Sequence, residues 1–61
     1  MPILQLEILK GRNISQKREV VSKVTDVISE TLDVPKNAVT IVIREIEPEH
    51  LAQEGVLRVD R

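Results

Sequence analysis

The feature that most constrains this chain is a long helical stretch lodged between two short β-forming runs. Ile3 to Leu9 alternates imperfectly: Leu4, Leu6 and Ile8 make one apolar face, while Ile3, Gln5, Glu7 and Leu9 make a mixed one. That is the pattern of a strand with two half-buried faces. Val39 to Ile46 is rich in β-branched residues, with Val39, Ile41 and Ile43 on one face and Thr40, Val42, Arg44 and Ile46 on the other, which suits a second strand. A helix returning from the end of one strand to the start of the next predicts an α/β fold, a right-handed βαβ unit with parallel strands.

The helix has local signals at both ends. Asn13 is a good N-cap, and Gln16 three residues later completes a capping box. Val20, Val21, Val24, Val27, Ile28, Thr31 and Leu32 share one stripe, with Lys17, Arg18, Glu19, Lys23, Asp26 and Glu30 largely elsewhere. The valines lower intrinsic helix propensity, so this helix depends on packing its stripe against the strands. Pro35 disfavours helix at Val34, and the helix is expected to span Ile14 to Leu32, ~28 Å.

With 61 residues, the chain is expected to form a single domain over 1–61, and a core this small rarely supplies more than ~3–5 kcal/mol without a staple or a partner. There is no cysteine for a disulfide and no Cys/His cluster for a structural metal, which leaves oligomerisation. One helix covers only one face of the strand pair, most simply Leu4/Leu6/Ile8 with Val39/Ile41/Ile43. The opposite face, with Ile3, Leu9, Val42 and Ile46, then calls for subunit contacts, and the sheet is expected to be enlarged by oligomerisation. Beyond it, Glu45 to His50 reads as a charged connector stopped by Pro48. Gly55 permits a turn, and Val56 to Val59 is expected to make a short strand, or one arm of a hairpin, pairing with a neighbour.

Nine basic and ten acidic side chains leave a formal charge of −1, which gives no general attraction for nucleic acid or an anionic membrane. No apolar run approaches the ~20 residues that span a bilayer, and no basic-then-apolar secretory signal opens the chain. The expectation is a soluble, cytoplasmic protein.

Pro2 is the candidate reactive group. Removal of Met1 would leave a free secondary amine at the head of the first strand. An α-amino group titrates at ~7.7–8, and an apolar pocket or a neighbouring cation lowers that value, so the neutral amine could accept a proton near neutral pH. The plain alternative is a proline placed where a strand needs no ladder donor.

In the order and spacing of these pieces the chain resembles the 4-oxalocrotonate tautomerase family over nearly its whole length. The resemblance rests on Pro2 behind Met1, a strand ending in Leu9-x-Gly11-Arg12, a long helix ending in Leu32-Asp33-x-Pro35, and the β-branched strand that follows. It implies a βαβ protomer that dimerises into a four-stranded sheet, and three dimers forming a homohexamer. It also implies a cofactor- and metal-independent tautomerase or isomerase acting on a small enol or 2-oxo (di)carboxylate. Pro2 becomes the general base, Arg12 the carboxylate ligand from an adjacent subunit, and Leu9 and Leu51 apolar pocket residues.

Two positions depart from the family pattern. Thr40 stands where the best-known members carry a second arginine, and Leu51 where an aromatic residue is common. Arg44 shares the face of Thr40 but lies ~13 Å along the strand, where a cross-strand pair with Glu7 is the simpler role. Arg44, Arg58 and Arg61 are the cations that another subunit could supply. His50 reads as an exposed connector residue. Two other functions remain open at this level: a hydratase or dehalogenase-like reaction with protonated Pro2, and a non-catalytic companion or scaffold subunit.

Overall fold

The structure, a computed structural model, describes all residues from Met1 to Arg61. Strand β1 is Ile3–Leu9, helix α1 is Ile14–Leu32, and strand β2 is Thr40–Ile46. β1 and β2 pair in parallel, with Ile3 opposite Thr40, Glu7 opposite Arg44 and Leu9 opposite Ile46. The βαβ unit is therefore as the hydrophobic pattern requires.

The helix boundaries come from side chains. Asn13 Oδ1 accepts from the Gln16 N–H at 2.8 Å, and Gln16 Oε1 accepts from the Asn13 N–H at 3.1 Å. This reciprocal box satisfies donors that the first turn leaves free. At the other end Asp33 adopts a left-handed conformation, φ 55° and ψ 52°, and the Val34 N–H returns to the Ser29 carbonyl at 3.1 Å. Ser29 Oγ donates to the Val34 carbonyl at 2.6 Å, which locks the exit before Pro35.

β2 begins at Thr40, one residue later than the pattern suggests. A short 3-10 turn over Lys36–Ala38 intervenes, and the Val39 N–H closes it on the Lys36 carbonyl at 3.1 Å. The Thr40 N–H at the head of β2 donates to the carbonyl of Pro2, the residue just before β1, at 3.0 Å.

The C-terminal segment also differs from the Val56–Val59 strand. Ala52–Gln53 (β3) and Val56–Leu57 (β4) form an antiparallel hairpin within the chain. Glu54 and Gly55 both have positive φ, 54° and 77°, the geometry of a tight two-residue hairpin turn. Arg58–Asp60 then curls into a 3-10 turn, which removes Val59 from the strand. The Arg61 guanidinium caps the hairpin by donating to the Gln53 carbonyl at 2.8 Å.

Helix α1 lies over the face that carries Leu4, Leu6 and Ile41, leaving a slot of 150 Å³ against Val20, Val21 and Val24. With no aromatic ring in the sequence, short valines meet leucines across that gap. The protomer measures only 13 Å along its thinnest axis, and no residue in it is fully buried. Ile3 is 60% exposed and Val42 37% exposed on the face away from the helix. A slab one helix and one sheet thick has no interior of its own. No helix is long and apolar enough to cross a membrane.

Candidate active site

The ladder that pairs β1 with β2 fixes Pro2. Its carbonyl is held by the Thr40 N–H, and the residue is half-buried while Met1 is 85% exposed. While Met1 is attached, the Pro2 nitrogen is a tertiary amide without proton or basic lone pair. Cleavage of that one exposed residue is what would turn it into an amine. Thr40 is the nearest strand position across the sheet, the register partner of Ile3.

Arg12 lies at the other end of β1. Gly11, with φ 131°, turns the chain out of the strand in a conformation that a side chain would strain. The exposed Arg12 that follows lines a cleft of 170 Å³ with Leu6, Ile8, Gln16, Lys17 and Val20. It takes part in none of the ion pairs or side-chain hydrogen bonds of the chain. Leu9, half-buried and opposite Ile46, belongs to this end of the sheet. Leu51, also half-buried, follows the Pro48–His50 turn that leaves the same end of β2.

The chain thus carries two groups of candidate residues rather than one. Pro2 and Thr40 meet at the start of the sheet; Leu9 and Arg12 lie at and beyond the end of β1, and Leu51 follows the turn after the same end of β2. The six steps of β1 between them cover ~20 Å, so a substrate of a few carbons cannot touch both within one protomer. Arg44 joins neither group. Its Nη1 lies 3.9 Å from Glu7 Oε1, in the cross-strand pairing of the register. His50 is exposed, with only Glu49 at 4.0 Å.

Three ion pairs not foreseen from the sequence hold this frame. Lys17 Nζ lies 2.9 Å from Glu45 Oε1 and ties the start of α1 to the end of β2. Lys17 precedes Val20, Val21 and Val24 by three, four and seven positions, so its helical spacing placed it on the buried stripe despite its charge. Lys10 meets Glu47 at 3.0 Å, and Lys36 meets Asp26 at 2.9 Å. Each of the latter two lysines has its pKa raised, first by the hydrogen bond to its carboxylate and then by the charge of that carboxylate. These cations are occupied.

Comparison with known proteins decides the family. The family model described as tautomerase enzyme matches residues 2–61. The chain belongs to the tautomerase family. It is 40% identical over 57 residues to the 2-hydroxymuconate tautomerase of Pseudomonas putida, covering 93% of this chain and 90% of that protein. A solved structure from work on the 4-oxalocrotonate tautomerase isozymes of Methylibium petroleiphilum superposes with a TM-score of 0.94 at 37% identity, over 97% of this chain and 92% of that one. A chain of the heterohexamer 4-oxalocrotonate tautomerase of Chloroflexus aurantiacus gives 0.93 at 28% identity, over 98% and 97%. This tautomerase is accordingly an isomerase, with the family's βαβ fold and a C-terminal hairpin.

Proposed function

We propose that this tautomerase converts the enol form of a small 2-oxo acid to its ketone, with Pro2 as general base at a site completed by a second copy of the chain. The observation that carries the reading is the placement of Pro2 and Arg12 at opposite ends of β1 in a sheet with no interior of its own. Pairing of copies would bring the start of one sheet to the end of another. The hexameric assembly of the Chloroflexus relative supports a hexamer here.

The reaction needs one proton moved twice. Once Met1 is removed, the neutral Pro2 amine takes the proton of the enol hydroxyl as the C–O bond gains double-bond character. The electron pair of the enol C=C double bond then accepts that proton at carbon, and the amine is regenerated. Arg12 of the neighbouring copy holds the substrate carboxylate through bidentate, charge-assisted hydrogen bonds. The same cation disfavours protonated Pro2, so more of the amine stands neutral and ready to accept a proton near neutral pH. Leu9 and Leu51 of that copy supply apolar contact. All atoms balance without an oxidant, a metal or a cofactor.

The test is ultraviolet-monitored ketonisation of an enol panel by wild type and Pro2→Ala, with intact mass recorded for both. Expected are loss of Met1 from the active protein and a fall of the variant to background. Activity in protein that retains Met1, or a Pro2→Ala variant as fast as wild type, would overturn the role of Pro2. Equal inertness of both proteins on every enol favours a companion subunit.

A further inference from the structure

The charges around the candidate site divide unevenly between its two halves. From Ile3 to Leu6 and from Thr40 to Ile43, the strand positions next to Pro2 carry no charge at all. The first charged positions in the sheet are Glu7 and Arg44, which face each other at 3.9 Å and stand ~13 Å further along from Ile3 and Thr40. Lys36, the cation that precedes Thr40 most closely in the chain, is turned to Asp26 on the helix at 2.9 Å. No free cation therefore belongs to the Pro2 half.

The other half has one that stands apart. Lys10, Lys17, Lys23 and Arg44 are also taken by carboxylates, and the Arg61 guanidinium by the Gln53 carbonyl. Among the unpaired arginines, Arg12 lines a cleft with Leu6, Ile8 and Val20 beside Gln16 and the paired Lys17, whereas Arg18 is exposed on the helix and Arg58 opens the C-terminal turn. A carboxylate brought to Arg12 is neutralised there. A second carboxylate on the same substrate would have to lie toward Pro2 and Thr40, where it would lose water and gain no counter-charge from the strand positions of this chain.

We propose that this site selects an enol or 2-oxo acid with a single carboxylate and an uncharged, apolar remainder, and discriminates against dicarboxylates. Thr40 is the specificity-determining position: a neutral side chain beside Pro2 where a cation would admit the second carboxylate. The inference rests on the tautomerase reading above and narrows its substrate class.

A matched pair of enols tests it: 2-hydroxymuconate, with two carboxylates, and 2-hydroxypenta-2,4-dienoate, which lacks the distal one. Wild type is expected to favour the monoacid in kcat/KM by about tenfold or more, the scale of one lost charge-assisted contact. Thr40→Arg is expected to raise the ratio of dicarboxylate to monoacid turnover by about 10- to 100-fold. Pro2→Ala should abolish turnover of both. A wild type that prefers the dicarboxylate overturns the proposal while leaving the tautomerase reading intact, and loss of that preference in Arg58→Ala would identify the missed cation. Wild type inert on both enols overturns the tautomerase reading and this inference with it. The wild-type ratio decides the matter even where Thr40→Arg does not fold.

Discussion

Pro2 and Arg12 stand at opposite ends of one strand. The Pro2 carbonyl is fastened to the Thr40 N–H at 3.0 Å at the beginning of β1, and Arg12 leaves the far end after the Gly11 turn. A parallel βαβ unit cannot fold one end of its own strand onto the other. Any chemistry that uses both residues must join two copies.

Subunit complementation follows from that separation. Pro2→Ala and Arg12→Ala are each expected to be strongly impaired alone. Unfolded together in equal amounts and refolded, they should regain activity, because roughly a quarter of randomly assembled sites pair an intact Pro2 with an intact Arg12 from another copy. A mixture no more active than its components would mean that the two residues do not share an intersubunit site.

Arg12 should be sensitive to shape as well as charge. Arg12→Ala is expected to lower kcat/KM by about 10- to 100-fold, the worth of charge-assisted hydrogen bonds to one carboxylate. Arg12→Lys should recover only part of it, since an ammonium cannot reproduce the planar fork of the guanidinium. Steady-state kinetics on a carboxylate-bearing enol reads both.

Much of this frame was legible in the sequence because its signals are local. Asn13 and Gln16 announce the helix start through the side-chain bonds they make, and Pro35 announces its end. The alternation of Leu4, Leu6 and Ile8 placed the helix over the correct face. The start of β2 shifted by one residue because the Val39 N–H serves the preceding turn, and no side chain signals that choice. Gly55 marked the hairpin, but the left-handed Glu54 beside it has no chemical signature. The apolar pattern leaves Lys17 off the stripe, and nothing near it in the chain signals its partner Glu45, which lies far along on β2. Pro2, Thr40 and Arg12 could be singled out by residue type, yet their division between two ends of the sheet emerges only once strand length and pairing are known.

The capping box offers a stability test away from the candidate site. Asn13→Ala removes the acceptor of the Gln16 N–H and should cost about 1 kcal/mol. Asn13→Asp keeps an acceptor and should cost much less. Urea unfolding at fixed protein concentration measures the difference.

The Lys10–Glu47 pair gives a pH dependence of known sign. The Lys10 pKa is raised above its ordinary 10.5 by the hydrogen bond to Glu47 and then by its charge. A raised folded-state pKa means that the contribution of the pair is fully present below the unfolded value and is lost as pH rises through the folded one. Any stability difference between wild type and Lys10→Gln should thus persist on the neutral side of pH 10.5 and vanish in the strongly alkaline range. Thermal unfolding at a series of pH values checks it; a difference that disappears well below 10.5 would contradict the assignment to Lys10.

Assembly should govern stability more than any single side chain. The protomer has no fully buried residue and is 13 Å thick, so apolar area such as Ile3 and Val42 on its open face is left for other copies to cover. Association then acts as a ligand for the folded state, and stability rises with total protein concentration. Across a range of roughly a hundredfold the gain should be ~2–3 kcal/mol per protomer, read as a higher Tm in the more concentrated sample. Substituting Val42, on the open face of the sheet, by Asp should lower the assembled fraction in sedimentation and bring unfolding down with it. A Tm independent of concentration, together with a folded monomer in the Val42→Asp variant, would show that the slab is stable alone.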